Sequence, residues 1–171
     1  PGGSVTLNDV TATSTEAVLS VSNSTVVVNG GNFSTTGTKS CFVNSYANLT
    51  INKGTTTEGT FASEGASCIQ NSWGRVEIND GTITSDADCT IKNRGGLRMN
   101  GGTVASTNPD AAVIDCNGDF GDTQINGGTI KGGKDGIRLA DLGSSEVTLK
   151  NAAFENNTQS NIHLGADQTI N

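Results

Sequence analysis

The sequence predicts an all-β fold, a parallel β-helix of about seven coils with three short strands in each coil. Three observations predict it: a short phrase that returns every 21 to 27 residues, alternation of apolar and polar residues within the phrase, and an unusual composition. The 171 residues include 23 glycines, whereas aromatic side chains make up only 4%. A narrow core of stacked aliphatic residues suits this composition, and we expect one β-helix domain over residues 1–171, as a piece of a longer protein.

The repeated phrase forms the first strand of each coil and the turn that follows it. In its fullest copy, residues 97–104, it reads Leu-Arg-Met-Asn-Gly-Gly-Thr-Val. Lys150 replaces Asn in one copy of the phrase. The other copies have Asn at the same point: Asn8, Asn29, Asn52, Asn79, Asn100, Asn126 and Asn171. Because Asn tolerates left-handed backbone geometry and its amide can bond the equivalent amide one coil away, we expect a structural Asn ladder. The apolar residue before each Asn predicts one inward column: Leu7, Val28, Ile51, Ile78, Met99, Ile125, Leu149 and Ile170.

Two further strands complete each coil. The second strand carries an apolar residue after the turn, such as Ile83 or Val104, and the third carries one such as Ile69 or Ile91. Each strand is expected to pair in register with its equivalent in the next coil, about 4.8 Å away. A single coil cannot bury its apolar face, whereas stacked coils can.

The charge balance excludes several classes of function. Ten Lys and Arg residues against 17 Asp and Glu residues leave a net charge of −7. No basic surface is available for nucleic acid or for an anionic membrane. No apolar stretch approaches the roughly 18 residues of a spanning helix, so we expect no membrane insertion. Abundant Thr, Asn and Gly favour an extracellular protein, secreted or attached to a cell surface.

The Asn-Gly-Gly-Thr phrases at 100–103 and 126–129, with Asp-Gly-Ile-Arg-Leu at 135–139, resemble the repeats of right-handed parallel β-helix proteins. This is the pectate-lyase-like superfold, which includes the adhesin-like repeats of bacterial surface proteins. The resemblance covers essentially the whole chain and implies right-handed coiling. Because the superfold hosts lyases, hydrolases, phage tailspikes and non-catalytic adhesins, it implies a fold more strongly than a function.

We expect a non-catalytic extracellular module that binds carbohydrate or a host surface through one lateral face. Four side chains that stand three residues before the next phrase predict the binding strip: Tyr46, Trp73, Arg94 and Phe120. An exposed strip of rings at one corner would stack against sugars. In the alternative interpretation, these rings only cover the edge of the core at a turn.

The alternative function is a polysaccharide lyase or glycoside hydrolase that acts on acidic glycans. Its candidate catalytic residues lie late in the chain: Arg138, His163, Asp115 and Asp141. Arg138 would neutralise a uronate carboxylate, and His163 or an Asp would transfer a proton. The Asn-Thr-Asp, Asp-Asp and Gly-His-Gly signatures of pectin-cleaving hydrolases are absent from the sequence, which favours a protein that is not an enzyme.

Acidic residues cluster before the third strands: Glu64, Asp86, Asp88, Asp110 and Asp135. If stacked coils bring several together, they suit calcium, which prefers several oxygen ligands. Solvated turn charges are the alternative interpretation, and we expect no other cofactor.

Four cysteines complete the set of notable residues. Cys41, Cys68 and Cys89 stand eight residues before the next phrase and predict one column, whereas Cys116 stands seven before it. The coil spacing permits a Cys41–Cys68 disulfide, but small buried thiols are the favoured interpretation. An open solenoid end exposes strand edges, so we also expect a flanking domain or subunit that caps it.

Overall fold

The computed structural model describes residues 2–58, 67–86, 88–118, 121–139 and 146–165. These residues form strands and no helix. In chain order the strands are β1 (Ser4–Leu7), β2 (Val10–Ser14), β3 (Leu19–Ser22), β4 (Thr25–Val28), β5 (Gly31–Thr35), β6 (Phe42–Ser45), β7 (Asn48–Ile51), β8 (Thr55–Glu58), β9 (Ser67–Ile78), β10 (Thr82–Ser85), β11 (Cys89–Met99), β12 (Thr103–Ser106), β13 (Ala112–Cys116), β14 (Thr123–Ile125), β15 (Thr129–Lys131), β16 (Asp135–Leu139), β17 (Val147–Leu149), β18 (Ala153–Glu155) and β19 (Ser160–Leu164). Nothing in these ranges provides a helix with the length and hydrophobicity to cross a membrane.

The strands stack as a parallel β-solenoid of about six turns, which confirms the predicted fold class. Each strand pairs in parallel with its equivalent in the next coil, as β1 does with β4 and β2 with β5. The second strands of the coils form a seven-stranded sheet, and the first and third strands belong to a 12-stranded sheet. The two longest strands, β9 and β11, run through the corner between a third strand and the following first strand.

The inward column before each Asn has the predicted register. Leu7 pairs with Val28, and the partners continue one coil at a time through Ile51, Ile78, Met99, Ile125 and Leu149. Val28, Ile51, Ile78, Met99 and Ile125 are at most 1% exposed. Each such side chain contributes about 1.5–3 kcal/mol when fully buried. Ile170 lies outside the described residues.

The predicted Asn ladder is present on the outside of the turn. Each Nδ2 donates to the Oδ1 of the Asn one coil earlier, at 2.7 or 2.8 Å, through Asn8, Asn29, Asn52, Asn79, Asn100 and Asn126. None of these six Asn residues has a positive φ; a glycine one or two residues later has it in the following coils, and Asp9 has it after Asn8. Gly81 has φ +107°, and a Cβ there would lie 2.6 Å from the carbonyl oxygen of Gly54 in the preceding coil.

Both terminal coils bury their inward residues less than the middle coils do. Val5 is 51% exposed, whereas its partner Val26 in the next coil is 4% exposed. At the other end Leu164 is 43% exposed, and its partner Leu139 is 1% exposed. A coil with a neighbour on one side only leaves part of its apolar face in contact with solvent.

Candidate ligand-binding corner

The corner between the third strand of one coil and the first strand of the next carries two exposed aromatic residues. Ser45 pairs with Ser72 and Asn48 pairs with Arg75, so Tyr46 and Trp73 occupy equivalent positions on neighbouring coils. Both have positive φ, 52° and 55°, and Asn23 at the same corner of the first coil has φ 50°. Left-handed geometry is common for Asn but costly for a bulky aromatic residue.

The two rings stack on each other and face solvent. Their centroids lie 5.3 Å apart with an angle of 13° between the planes. Tyr46 is 61% exposed and Trp73 is 54% exposed. Two residues of the expected strip therefore lie side by side at one corner of the solenoid, and ligand binding by them stays a prediction.

A buried ladder of Asn side chains supports this corner from inside. Nδ2 of Asn44 donates to Oδ1 of Asn71 at 2.8 Å, and Nδ2 of Asn71 donates to Oδ1 of Asn93 at 2.7 Å. The same amide of Asn71 reaches the carbonyl oxygens of Gly74 and Gly96, at 3.3 and 3.1 Å. These carbonyls belong to the backbone that follows the corner, so the ladder holds the corner of one coil against the next.

The inner ladder has defined ends. Asn44 stands opposite Val21, whose side chain has no donor, and Oδ1 of Asn44 is buried and has no partner in the part of the chain that the structure describes. At the other end Nδ2 of Asn93 donates to Oγ1 of Thr123 at 3.2 Å. This ladder was not predicted from the sequence. Each of its Asn residues stands two positions after an inward apolar residue of the same strand, as Asn71 does after Ile69, and should therefore point to the same side. That spacing was the available signal.

Arg94 lies at the same corner, but not in the predicted position. It pairs with Ser72 rather than with Trp73, because the register shifts by one residue between Arg94 and Gly96. Arg94 nevertheless lines a groove of about 170 Å³ with Trp73, Asn117 and Gly118. Its Nε donates to Oδ1 of Asn117 at 3.1 Å. Phe120, the fourth predicted residue, lies outside the described residues.

A second groove lies on the other side of the aromatic pair. It has a volume of about 270 Å³, and its lining includes Tyr46, Asn23, Asn48 and Thr25. The stacked rings therefore stand between two polar grooves along the solenoid, one with amide groups and one with an arginine. This corner can accept a flat, partly apolar group against a ring while polar groups bond from the side.

The alternative catalytic residues are brought into register on neighbouring coils. Asp115 pairs with Arg138, and Arg138 pairs with His163. Nε of Arg138 donates to Oδ1 of Asp115 at 3.0 Å, and this bond raises the pKa of Arg138 further above its usual value. His163 Nδ1 lies 4.0 Å from Oδ1 of the buried Asp135, which also accepts a hydrogen bond from Ser160. Asp141 lies outside the described residues.

The acidic residues do not gather around a common point. Asp135 lies inside β16 and is buried, whereas Asp88 and Asp110 are exposed. Within the described ranges no group of three or more His, Cys, Asp and Glu side chains has the arrangement of a metal site. Asp86 is half-buried, and Glu64 lies outside those ranges.

The four cysteines are buried thiols without a disulfide bond. In the predicted three-membered column, Cys41 and Cys68 come directly before the paired residues Phe42 and Ile69 and are in register. Cys89 is not in this column: it pairs with Ser67 and Ala112, because the same one-residue shift separates it from Cys68. Burial, with the neighbouring carboxylate of Asp115 next in importance, raises the pKa of Cys89 to about 12. Burial likewise raises the pKa of Cys116 to about 11, so neither thiol is a nucleophile at neutral pH.

No protein-family model, curated protein or solved structure matches the chain at a significant level.

Proposed function

We propose that the chain is a non-catalytic extracellular β-helix module that binds carbohydrate through the corner of Tyr46 and Trp73. The stacked, solvent-facing pair of rings carries this proposal. The module is an adhesin-like part of a bacterial surface protein. Its coils have the right-handed sense of the pectate-lyase-like superfold. Its ligand is a cell-surface or host glycan.

The chemistry of the corner suits a sugar. The C–H face of a pyranose ring packs on an aromatic ring, while its hydroxyl groups need donors and acceptors beside it. Asn23 and Asn48 supply amide groups beside Tyr46, and Asn117 and Arg94 supply polar groups beside Trp73. The backbone holds both rings at a costly φ and the buried ladder supports them, which favours a preorganised site over an incidental surface feature.

The surroundings of the corner are compatible with an extracellular role. A net charge of −7 supports solubility and disfavours nucleic acid as a partner. The four thiols are at most 2% exposed and are thereby shielded from oxidants. The exposed Val5 and Leu164 support a flanking domain or subunit that covers an end of the solenoid.

Trp73 is the only tryptophan, so its fluorescence reports on the site directly. The protein is titrated with a panel of neutral and acidic polysaccharides, and binding is checked by calorimetry. We expect the Trp73 fluorescence to change in a saturable way with a polysaccharide that binds. Tyr46→Ala should abolish this fluorescence change. Leu164→Ala, which removes another exposed apolar side chain, should leave it intact. Loss of binding with EDTA would implicate calcium and the acidic residues. Absence of heat and fluorescence change over the whole panel would contradict the proposal.

The register of Asp115, Arg138 and His163 keeps the alternative function open to test. A lyase or hydrolase would release unsaturated or reducing ends from a polyuronate, and His163→Ala would remove that activity. We expect no cleavage, because the charge of Arg138 is already paired with the buried Asp115 and is less available to a substrate carboxylate.

A further inference from the structure

A pocket beside the aromatic corner contains two arginines. It has a volume of about 240 Å³ and is lined by residues of three neighbouring coils: Arg75, Gly96, Leu97, Arg98, Gly121, Asp122 and Gln124. Arg75 follows Trp73 by two residues in β9, and Gly96 follows Arg94 by two residues in β11. In both strands the pocket therefore begins two residues along the chain from the groove of Trp73 and Arg94.

Among the described residues, no ion pair neutralises the guanidinium groups of this pocket. In the described part of the chain, no carboxylate oxygen lies within 4.0 Å of a side-chain nitrogen of Arg75 or Arg98. Nη2 of Arg98 donates a hydrogen bond to Oε1 of Gln124 at 3.1 Å. Its Nε is buried and has no hydrogen-bond partner among the described residues. A buried N–H of a permanently charged group that lacks an acceptor is costly, and an oxyanion bound to the same guanidinium group would offset its charge.

The distribution of arginine points the same way. The chain has a net charge of −7, yet three of its four arginines, Arg75, Arg94 and Arg98, lie at this corner. Arginine is the side chain best suited to carboxylate, sulfate and phosphate groups, because its planar fork donates two hydrogen bonds at once.

Two acidic side chains lie close to this cluster. Asp122 lines the pocket, and Glu77 pairs in register with Arg98. Oε1 of Glu77 accepts a hydrogen bond from Asn100 at 3.0 Å, so that carboxylate is partly engaged elsewhere. The residues that line the pocket carry one more positive than negative charge, and the neighbouring Glu77 brings the local sum to zero, so the arginine N–H groups rather than net charge would hold an anionic group.

We propose that Arg75 and Arg98 form an oxyanion subsite that holds the sulfate or carboxylate group of an acidic saccharide whose ring stacks on Trp73. The saccharide part rests on the proposed function, whereas the oxyanion part rests on the pocket alone. Gly96 leaves the pocket open: a Cβ there would lie 3.8 Å from Nε of Arg75 and would contact no atom more closely.

The test compares binding by calorimetry of a sulfated oligosaccharide, a uronate oligosaccharide and the neutral parent. We expect the acidic ligands to bind about tenfold more tightly than the neutral one, as for a hydrogen bond to a charged group. Arg98→Gln should remove that difference, and Gly96→Ala should reduce it. Asp122→Asn should increase it. Lys53→Gln is the matched control: it removes a positive charge that pairs with Asp9 at 3.9 Å, and it should leave the difference between acidic and neutral ligands unchanged.

A second readout separates this inference from the proposed function. Inorganic sulfate should shift the Nε–Hε NMR signal of Arg98 in a saturable way, and equally in Trp73→Ala. If sulfate shifts this signal but no saccharide binds, the proposed function fails and the oxyanion subsite stands. If neutral and acidic saccharides bind alike and sulfate leaves the signal unchanged, the subsite is refuted and the sugar-binding corner stands.

Discussion

Nδ2 of Asn71 donates to Oδ1 of Asn93 at 2.7 Å inside the solenoid, on the inner side of the corner that presents Trp73. The same nitrogen lies within hydrogen-bond distance of the carbonyl oxygens of Gly74 and Gly96. One buried amide thus ties two adjacent coils together at the point where the chain turns. The exposed aromatic pair depends on this internal polar contact, because the backbone beside it is held there.

Replacing Asn71 with Leu should destabilise the solenoid strongly. The substitution removes the buried bond from Asn44 and the bonds that Asn71 donates to Asn93 and to two backbone carbonyls, which costs about 2–4 kcal/mol. Unfolding in urea measures this loss. The matched control is Asn79→Leu in the half-buried outer ladder, for which we expect about 1 kcal/mol or less. Equal losses at the two sites would show that burial is not what makes the inner ladder important.

Trp73→Asn should separate the binding role of the ring from its structural role. Asn accepts the φ of 55° readily, as Asn23 does in the first coil, so relief of backbone strain offsets the lost ring stacking. We expect the free energy of unfolding to change by less than about 1 kcal/mol while saccharide binding is lost. A large loss of stability would instead assign the ring a structural role.

Two glycine substitutions should have opposite outcomes. Gly81→Ala places a Cβ 2.6 Å from the carbonyl oxygen of Gly54 at a φ of +107°, and we expect a loss of about 2–4 kcal/mol. Gly96→Ala contacts nothing within 3.8 Å and should leave the thermal unfolding temperature nearly unchanged. Comparable destabilisation by both would argue against the parallel register at the turns.

The thiols should be inaccessible until the protein unfolds. Cys41, Cys68, Cys89 and Cys116 are between 0% and 2% exposed. A thiol reagent should therefore find four thiols in the denatured, unreduced protein and essentially none in the folded protein. A count below four after denaturation would reveal a disulfide bond and contradict the structure.

Stability should fall at alkaline pH through Cys116. Because burial raises its pKa from 9.0 to about 11, the folded state keeps the proton more tightly than the unfolded state. The resulting stabilisation is complete below pH 9.0 and disappears as the pH rises to about 11. It amounts to roughly 2–3 kcal/mol. Urea unfolding of Cys116→Ala should show a flatter alkaline dependence than the parent, whereas Val113→Ala, a buried substitution without a titrating group, should keep the parent slope.

Period and parity in the sequence determined the fold and much of its register. The apolar residue before each Asn could be aligned from Leu7 to Leu149 because every coil repeats the same strand and turn. The outer Asn ladder followed from the same alignment, since equivalent residues stack at the coil spacing. Tyr46 and Trp73 of the predicted binding strip were aligned correctly, because the paired residues on either side, Ser45 with Ser72 and Asn48 with Arg75, are equally far apart in the two coils.

Only the tertiary structure decided where the chain gains or loses a residue at a corner. Counting back from the next phrase misplaced Arg94 and Cys89, because the shift between Arg94 and Gly96 has no mark in the pattern of apolar residues. The inner ladder was overlooked because polar residues are expected to face outward, whereas Asn71 is buried and satisfied by neighbouring coils. The pocket of Arg75 and Arg98 is likewise tertiary: its residues come from three coils, and their proximity is created by stacking rather than by sequence spacing.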